Sequence, residues 1–375
     1  MSWEALVTPA LRDTGPYVPG PSLDELMARH GLTEVAKLNW NEGLCGPLPG
    51  VLDAVADALP QTWGYPEHAY NALRDAVAAE TGAVPAQVLP GHGIQALIAT
   101  LIGAFLRPGD AVVVPEHTYG YYAQASRVAG AEVVHAASPD LRLDLERAGT
   151  AARASRARIV WVCDPNNPTG SRVDAEEWRA LLDAVPDGCL VVADEAYMDY
   201  VEPEVRPGRE RDVAEGRRVV VLRTFSKIFG LAGLRLGYAL ADPALVRLLQ
   251  AVQEPFNVNR AALAAGLASL GRREEVAARR AAAAAARERL SAALRAGGMR
   301  PLRSDANFVL CDLGVDDGEL GEMLLRRGVL IRTGADMGLP GWARITVAPE
   351  PVMERAAAAI LAARDELAAA GAGAR

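Results

Sequence analysis

A serine, a lysine and an arginine share one glycine-rich stretch of this 375-residue chain. Ser226 and Lys227 follow an apolar run at 219–222, and Arg235 comes eight residues after the lysine, past two glycines. The run is typical of a buried parallel strand, and open α/β sheets bind their ligands just past such strand ends. Serine and arginine can hold a phosphate there, and a lysine beside a phosphate can form a Schiff base with pyridoxal phosphate (PLP). Taken alone, Lys227 is more often a solvated loop lysine.

Two further apolar runs also end in polar residues. The run at 159–162 leads into Asp-Pro-Asn-Asn-Pro-Thr-Gly at 164–170, and the run at 190–193 leads into Asp-Glu-Ala-Tyr at 194–197. Because the carboxyl ends of neighbouring parallel strands meet at one edge of a sheet, we expect Asn167, Asp194 and the Ser226–Lys227 pair to point into one crevice.

A glycine turn, Gly91-His92-Gly93, precedes an apolar segment at 94–106 that is predicted to be helical. The unpaired N–H groups at a helix start can bind an anion. As a single motif this is a weak signal. It is not the longer dinucleotide fingerprint, because no glycine follows at the required position.

Strand and helix patterns alternate between about residues 85 and 250, which predicts a mainly parallel sheet with helices on both faces. The predicted strands include 111–114, 132–135, 159–162, 190–193, 219–222 and 238–240, and the predicted helices between them include 125–130 and 175–184. We therefore expect an α/β fold.

The two ends of the chain have a different character. Residues 1–37 are rich in proline and glycine at first, and Ser22 with Glu25 predicts a capping box at the start of a short helix. A long helical region is predicted at 260–296, followed by strands at 307–311, 328–332 and 343–347 and helices at 317–327 and 351–370. We predict an N-terminal arm (1–37), a large domain (38–258) and a smaller α+β domain (259–375).

Composition excludes several classes of protein. The net charge of −8 and the pI of about 5.3 offer no broad basic face to nucleic acid or an anionic membrane. The four cysteines contain no C-x-x-C pair, the five histidines show no metal-ligand spacing, and the first residues do not resemble a signal peptide. A cytoplasmic protein without a metal site or membrane span is expected.

Together these motifs resemble the class I/II PLP-dependent aminotransferases of fold type I, and within them the histidinol-phosphate aminotransferases. The resemblance runs from Pro-Tyr-Val-Pro-Gly at 16–20 to Arg-Ile-Thr-Val at 344–347, and its most specific stretches are 165–170, 194–197 and 226–235. It implies a large domain built on a mainly parallel, seven-stranded type of sheet, a smaller α+β domain and PLP as cofactor. It also implies a homodimer with composite active sites.

The resemblance assigns three catalytic residues. It implies that Lys227 forms the Schiff base and then moves the substrate proton, and that Asp194 pairs with the pyridine nitrogen. Tyr197 and Asn167 are implied to hydrogen-bond the phenolic oxygen of the ring. The other implied cofactor contacts are Tyr119 on the ring face, Ser226, Arg235 and the backbone N–H groups of Ile94 and Gln95 at the phosphate, and Tyr65 from the neighbouring subunit.

Four residues are predicted to line the substrate: Tyr17 on the arm, Asn41, Arg332 and Arg344. Arg344 resembles the family's arginine for the substrate anion, and Arg332 a second one. A structural ion pair is an equally good explanation for either arginine alone, and asparagines of this kind also form turns.

The predicted activity is transfer of an amino group from histidinol phosphate or an aromatic amino acid to 2-oxoglutarate. Two departures leave the phosphorylated substrate open: Gln95-Ala96 stands where an acidic pair is usual, and Gly43-Leu44 follows Asn41-Glu42. A PLP-dependent lyase, decarboxylase or cyclase on the same fold is the alternative. A PLP-binding regulator is disfavoured by the acidic charge and the lack of a helix-turn-helix pattern.

Overall fold

The computed structural model describes residues 3–12 and 22–373. Its helices are α1 Trp3–Leu6, α2 Pro9–Arg12, α3 Leu23–His30, α4 Val51–Ala58, α5 Asn71–Thr81, α6 Gly93–Phe105, α7 Tyr121–Val128, α8 Leu145–Ser155, α9 Ala175–Ala184, α10 Glu210–Ala214, α11 Pro243–Gln250, α12 Arg260–Ser269, α13 Arg273–Ala296, α14 Asp317–Arg326 and α15 Glu350–Gly373. Its strands are β1 Ala36–Leu38, β2 Val88–Gly91, β3 Ala111–Pro115, β4 Glu132–Ala136, β5 Ile159–Cys163, β6 Leu190–Asp194, β7 Val219–Thr224, β8 Gly237–Leu240, β9 Arg300–Pro301, β10 Phe308–Asp312, β11 Val329–Thr333 and β12 Trp342–Thr346.

The larger sheet has seven strands in the order β2-β8-β7-β6-β5-β3-β4. Strands β7, β6, β5, β3 and β4 are parallel, and β8 is antiparallel to both of its neighbours. The predicted mainly parallel sheet is thus confirmed. Its central strands are apolar throughout because helices cover both faces.

Alternate residues of β5 face opposite sides of this sheet. Val160 and Val162 belong to one buried hydrophobic cluster, which also takes residues from α5, α8, α9 and α12. Ile159 and Trp161 belong to a second cluster, with residues from α6, α7 and α11. Because side chains alternate along a strand, a continuous apolar run feeds both cores.

The smaller sheet has five strands in the order β1-β11-β12-β10-β9. Strand β1 pairs with β11 in parallel, and the other pairs are antiparallel. Helices α13, α14 and α15 cover it with a third hydrophobic cluster. The elements beside both predicted domain boundaries pack across them, since β1 joins the small sheet and α12 packs within the cluster on the large one.

Some local structure differs from the expectation. The helical region predicted at 260–296 is broken into α12 and α13, because Gly271 adopts the left-handed conformation with φ +77°. Helix α7 begins at Tyr121 rather than at residue 125, since the buried packing of Tyr122 outweighs the modest helix propensity of aromatic residues. The capping box of Ser22 and Glu25 is present. None of the helices in the described ranges combines the length and apolar character that a membrane span needs.

Candidate active site

The carboxyl ends of β5, β6 and β7 place three of the predicted residues at one edge of the large sheet. Cys163, the last residue of β5, lies opposite Asp194, the last residue of β6, and Asp194 lies opposite Leu222 in β7. Asn167 and Lys227 lie on the loops that leave β5 and β7. The parallel arrangement therefore brings the loops together, as the strand pattern predicted.

Lys227 is partly buried at this edge. Its Nζ donates to the backbone oxygen of Trp40 at 3.3 Å and lies 5.4 Å from the centre of the Tyr197 ring. Burial, and then the positive charge of Arg344, lower the pKa of Lys227 to about 8, although Glu42 opposes the shift. A larger share of the neutral, nucleophilic amine is therefore present near neutral pH than for a solvated lysine.

Asp194 is a buried carboxylate, with 3% of its surface exposed. Its Oδ2 accepts a hydrogen bond from the Tyr122 hydroxyl, and its Oδ1 accepts one from the backbone N–H of Ala196 at 3.0 Å. Burial raises the pKa of Asp194 to about 6, and these two hydrogen bonds and Lys227 hold it from rising further. The carboxyl is anionic at neutral pH and suits a cationic ring nitrogen.

Tyr122 is a partner of Asp194 that the sequence did not reveal. Its ring is fully buried and stacks on Trp161, with centroids 5.0 Å apart and planes 5° apart. Its hydrogen bond to Asp194 depends on where α7 begins, which the sequence pattern misplaced.

The start of α6 forms a cradle of the kind that binds phosphate. Gly93 has φ +75°, and a Cβ there would lie 2.8 Å from the guanidinium of Arg235. The N–H groups of Ile94 and Gln95 are in the first turn, where they have no partner within the helix. Ser226 is buried at the end of the neighbouring loop. A bare glycine, free helix-start donors and a close arginine fit the phosphate of PLP.

Gln95 connects two predicted cofactor residues. Its Nε2 donates to the Tyr119 hydroxyl at 2.9 Å, and its Oε1 accepts from Nη2 of Arg235 at 3.4 Å. An acidic residue at this position would place a negative charge beside the phosphate cradle. The glutamine orients both neighbours without that charge.

Arg332 and Arg344 lie directly opposite each other on β11 and β12. Cross-strand partners share one face of a sheet, so both side chains project to the same side. Arg344 is buried and donates to Oδ1 of Asn167 and to the backbone oxygen of Asn39. Arg332 pairs with Asp336 at 3.3 Å. Arg344 thus contacts the loop after β5, while Arg332 has an ion-pair partner just after its own strand.

The side chains of Asn41 and Tyr197 are hydrogen-bonded to each other. Nδ2 of Asn41 donates to the Tyr197 hydroxyl at 3.1 Å, and its Oδ1 accepts from Oγ1 of Thr346 at 3.1 Å. Asn41 is 1% exposed and adopts φ 54°. Its contacts are with protein groups, so it fixes the orientation of Tyr197.

One predicted residue, Tyr65, is not brought to this crevice. Tyr65 is 80% exposed and stacks on Phe256, with centroids 4.7 Å apart. Tyr17 lies outside the described residues. The roles proposed for both depend on a second subunit or on the arm, so the single chain does not test them.

Three comparisons agree with this geometry. The profile of the family described as "Aminotransferase class I and II" matches residues 33–360. A histidinol-phosphate aminotransferase of Geobacillus thermodenitrificans is 38% identical over 92% of this chain and 94% of its own length. One from Anaeromyxobacter sp. is 40% identical over 95% and 98%.

A solved structure is similar over nearly the whole chain. The histidinol-phosphate aminotransferase of Sinorhizobium meliloti in complex with pyridoxal-5'-phosphate superposes with a TM-score of 0.88 and 29% identity, covering 96% of this chain and 98% of that one. Membership of one enzyme family therefore explains the fold, the phosphate cradle at the start of α6, the buried carboxylate of Asp194 and the lowered pKa of Lys227. The chain belongs to the class I and II aminotransferases and is a PLP-dependent aminotransferase of fold type I.

Proposed function

We propose that this aminotransferase exchanges an amino group between histidinol phosphate and 2-oxoglutarate. The observation that carries the proposal is the Arg332–Arg344 pair. Like charges directly across a sheet repel each other, and a doubly charged phosphate between them would offset that repulsion. The similarity to histidinol-phosphate aminotransferases over most of the chain also supports it.

PLP supplies the electron sink for the substrate Cα, and the side chains do the rest. Lys227 would hold the cofactor through its Nζ and, when that amine is free, would take the Cα proton and return it. Asp194 would keep the ring nitrogen protonated, and Asn167 and Tyr197 would donate to the phenolic oxygen. Arg344 orients the substrate through its anionic end, which it can do while donating to Asn167.

One observation favours a second candidate, an aromatic amino acid as donor. Arg332 already pairs with Asp336, which leaves Arg344 to bind a single carboxylate. We propose to separate the two donors with the PLP-loaded chain and a panel of single amino donors. Loss of the cofactor's visible absorbance, without any acceptor, reports one half-reaction.

Conversion by histidinol phosphate, lost in Arg332→Ala and kept in Asp336→Asn, supports the phosphate proposal. Conversion by phenylalanine or tyrosine alone refutes it in favour of the second candidate. A product released without any amino transfer to PLP indicates a lyase or decarboxylase. Adding 2-oxoglutarate afterwards tests the acceptor, because it must restore the original spectrum.

We also propose a cytoplasmic homodimer with composite sites. Support for the dimer comes from an exposed apolar face on and beside α4, where Leu52, Trp63 and Tyr65 are 63%, 91% and 80% exposed. Surfaces of this kind mark interfaces between chains. The cysteines, among them the buried thiols Cys163, Cys189 and Cys311, are free, which fits a reducing compartment.

The dimer is tested by sedimentation of the PLP-loaded chain and of Trp63→Ser. We expect a dimer for the first and weaker association for the second. A monomer with full activity would rule out composite sites.

A further inference from the structure

Five charged side chains, three of them fully buried, form an ion cluster behind the carboxyl edge of the large sheet: Asp164, Glu195, Arg209, Glu210 and Arg223. Arg209 lies at its centre. Its Nη1 donates to Oε1 of Glu195 at 3.0 Å, and its Nη2 donates to Oδ2 of Asp164. The side chains of these three are 0–1% exposed.

The other members extend the cluster. Nε of Arg223 donates to Oε2 of Glu195 at 2.9 Å, and its Nη2 lies 3.3 Å from Oε2 of Glu210. The guanidinium of Arg209 also lies 4.2 Å from the centre of the Trp178 ring, which covers its face. The two arginines are therefore held by the carboxylates and, for Arg209, by a ring.

The position of the cluster connects it to the active site. Asp164 follows β5 and lies three residues before Asn167, while Glu195 directly follows Asp194. Arg223 lies in β7, four residues before Lys227. Each of the three strands that present an active-site residue thus also contributes a member of the cluster.

Main-chain bonds link the same strand ends. The N–H of Asp164 donates to the oxygen of Asp194 at 2.9 Å, and the N–H of Glu195 donates to the oxygen of Leu222 at 2.8 Å. Oδ1 of Asp164 accepts from the N–H of Val173 at 3.1 Å, which closes the loop that carries Asn167. A shift of Asp164 or Glu195 would therefore move Asn167 or Asp194.

Stability alone is a weak reason for such a cluster. Removing charges from water costs about as much as their attraction returns, and apolar replacements of a complete buried cluster are often neutral or stabilising. What a planar arginine with two fixed carboxylates provides is defined geometry.

We propose that Arg209 is a positioning residue: through Asp164 and Glu195 it holds Asn167 and Asp194 in the arrangement that binds the PLP ring. This inference rests on the contacts proposed for these two residues. It assigns Arg209 no contact with cofactor or substrate. Its effect should appear in PLP affinity, before any turnover.

The electrostatics supply a readout that general loosening of the fold does not. The charge of Glu195 raises the pKa of Asp194, while Lys227 and the Tyr122 hydrogen bond lower it. Cys163 and Tyr197 are further titratable neighbours of Asp194. Burial holds the pKa of the Cys163 thiol well above its usual range and raises the pKa of the Tyr197 hydroxyl. Losing Arg209 leaves the cluster more negative and should raise the pKa of Asp194 further. Losing the charge of Glu195 should lower it.

The test uses the full chain freed of PLP. It is titrated with PLP at pH values on both sides of the pKa of Asp194. PLP affinity of the wild type should fall as pH drops through about 6, where Asp194 gains its proton. Arg209→Met should bind PLP about tenfold more weakly at neutral pH, within the range for groups sharing an ion network. Its affinity should also fall at a higher pH than in the wild type.

Glu195→Gln should bind PLP more weakly at neutral pH too, but its loss of affinity should occur at a lower pH. The matched control is Arg218→Met, which removes an exposed pair with Asp187 at the opposite edge and should leave both quantities unchanged. The proposal is supported if the pH at which PLP affinity falls rises in Arg209→Met and drops in Glu195→Gln. Wild-type affinity in both variants, or shifts in the same direction, overturn it.

Glu195→Gln is nearly isosteric, so it decides the question alone if Arg209→Met does not fold: a shift to lower pH supports the proposal, and no shift or an upward one overturns it. A failure of the proposed function can be distinguished from a failure of this positioning role. A wild-type chain that binds PLP but transfers no amino group from either proposed donor contradicts that function and leaves the PLP titrations valid.

Discussion

The two edges of the seven-stranded sheet carry similar ion pairs with different effects. At the amino edge, Arg217 pairs with Asp183 at 2.9 Å and Arg218 pairs with Asp187 at 3.2 Å. All four side chains are exposed to solvent. They lie beside a cavity of about 230 Å³ that is lined by residues such as Cys189 and takes no part in the site. At the carboxyl edge, Arg209 and its carboxylates are wholly buried.

Burial, rather than the number of charges, separates the two edges. An exposed pair contributes about 0–1 kcal/mol and is screened by salt. Buried charges are screened far less, and they act on neighbouring groups. At the carboxyl edge, loss of contact with solvent is the main reason that the pKa of Asp194 is raised to about 6 and that of Lys227 is lowered to about 8, and neighbouring charges adjust both values. The four substitutions below test this contrast, from the largest expected effect to the smallest.

Lys227→Ala should reduce turnover by about 10³-fold or more, because it removes the amine proposed to attach the cofactor. PLP should still bind through Asp194, Ser226 and Arg235, but without a covalent bond. Borohydride treatment followed by mass spectrometry checks this. A reduced PLP adduct on another residue, with activity retained, would remove Lys227 from its role.

Asp194→Asn should still bind PLP through the other proposed contacts, though more weakly, and should lower kcat by about 10²–10³-fold, since the ring nitrogen loses its anionic partner. Single-turnover absorbance with an amino donor measures the step directly. The protein alone raises the pKa of Asp194 to about 6, and the cationic ring nitrogen should lower it again when PLP is bound, so the wild-type rate should fall only below that pH. A pH-independent rate in the wild type would contradict the assignment.

Arg344→Ala should raise KM for the native donor about tenfold and change kcat less. Its positive charge also lowers the pKa of Lys227, so the variant should need a higher pH for Lys227 to react with PLP. The rate of covalent PLP attachment against pH measures this shift. Arg344→Lys keeps the charge without the planar fork, so it should retain the pH profile while KM still rises.

Arg218→Met, at the amino edge, should change the free energy of unfolding by less than about 0.5 kcal/mol. Its kcat/KM should equal that of the wild type. Urea unfolding and steady-state assays provide the comparison. A loss of activity here would mean that the two edges are coupled and that burial does not separate them.

The sequence predicted the parts of the site that follow from strand order. Asn167, Asp194 and Lys227 each come after an apolar run, and parallel pairing suffices to bring such residues together. Arg209 follows no strand, and nothing in its local sequence distinguishes it from a solvated arginine. Its burial depends on Asp164 and Glu195, which lie far away in sequence, so only the tertiary structure reveals it.

The same limit applies to Tyr122 and Asn41. Their hydrogen bonds to Asp194 and Tyr197 require the start of a helix and a left-handed backbone turn, respectively, which periodicity does not locate. Conversely, only the structure shows why a glycine is needed close to Lys227. A Cβ on Gly43 would lie 2.0 Å from the backbone oxygen of Lys227.

The pairing of β1 with β11 also bears on how the chain is made. Lys37 lies opposite Leu330, so β1 must wait until β11 has been synthesised before the two strands can pair. The seven-stranded sheet, whose strands lie between residues 88 and 240, can assemble earlier. Nascent chains can therefore pass through a stage in which the seven-stranded sheet is formed and Arg332 and Arg344 have not yet been synthesised.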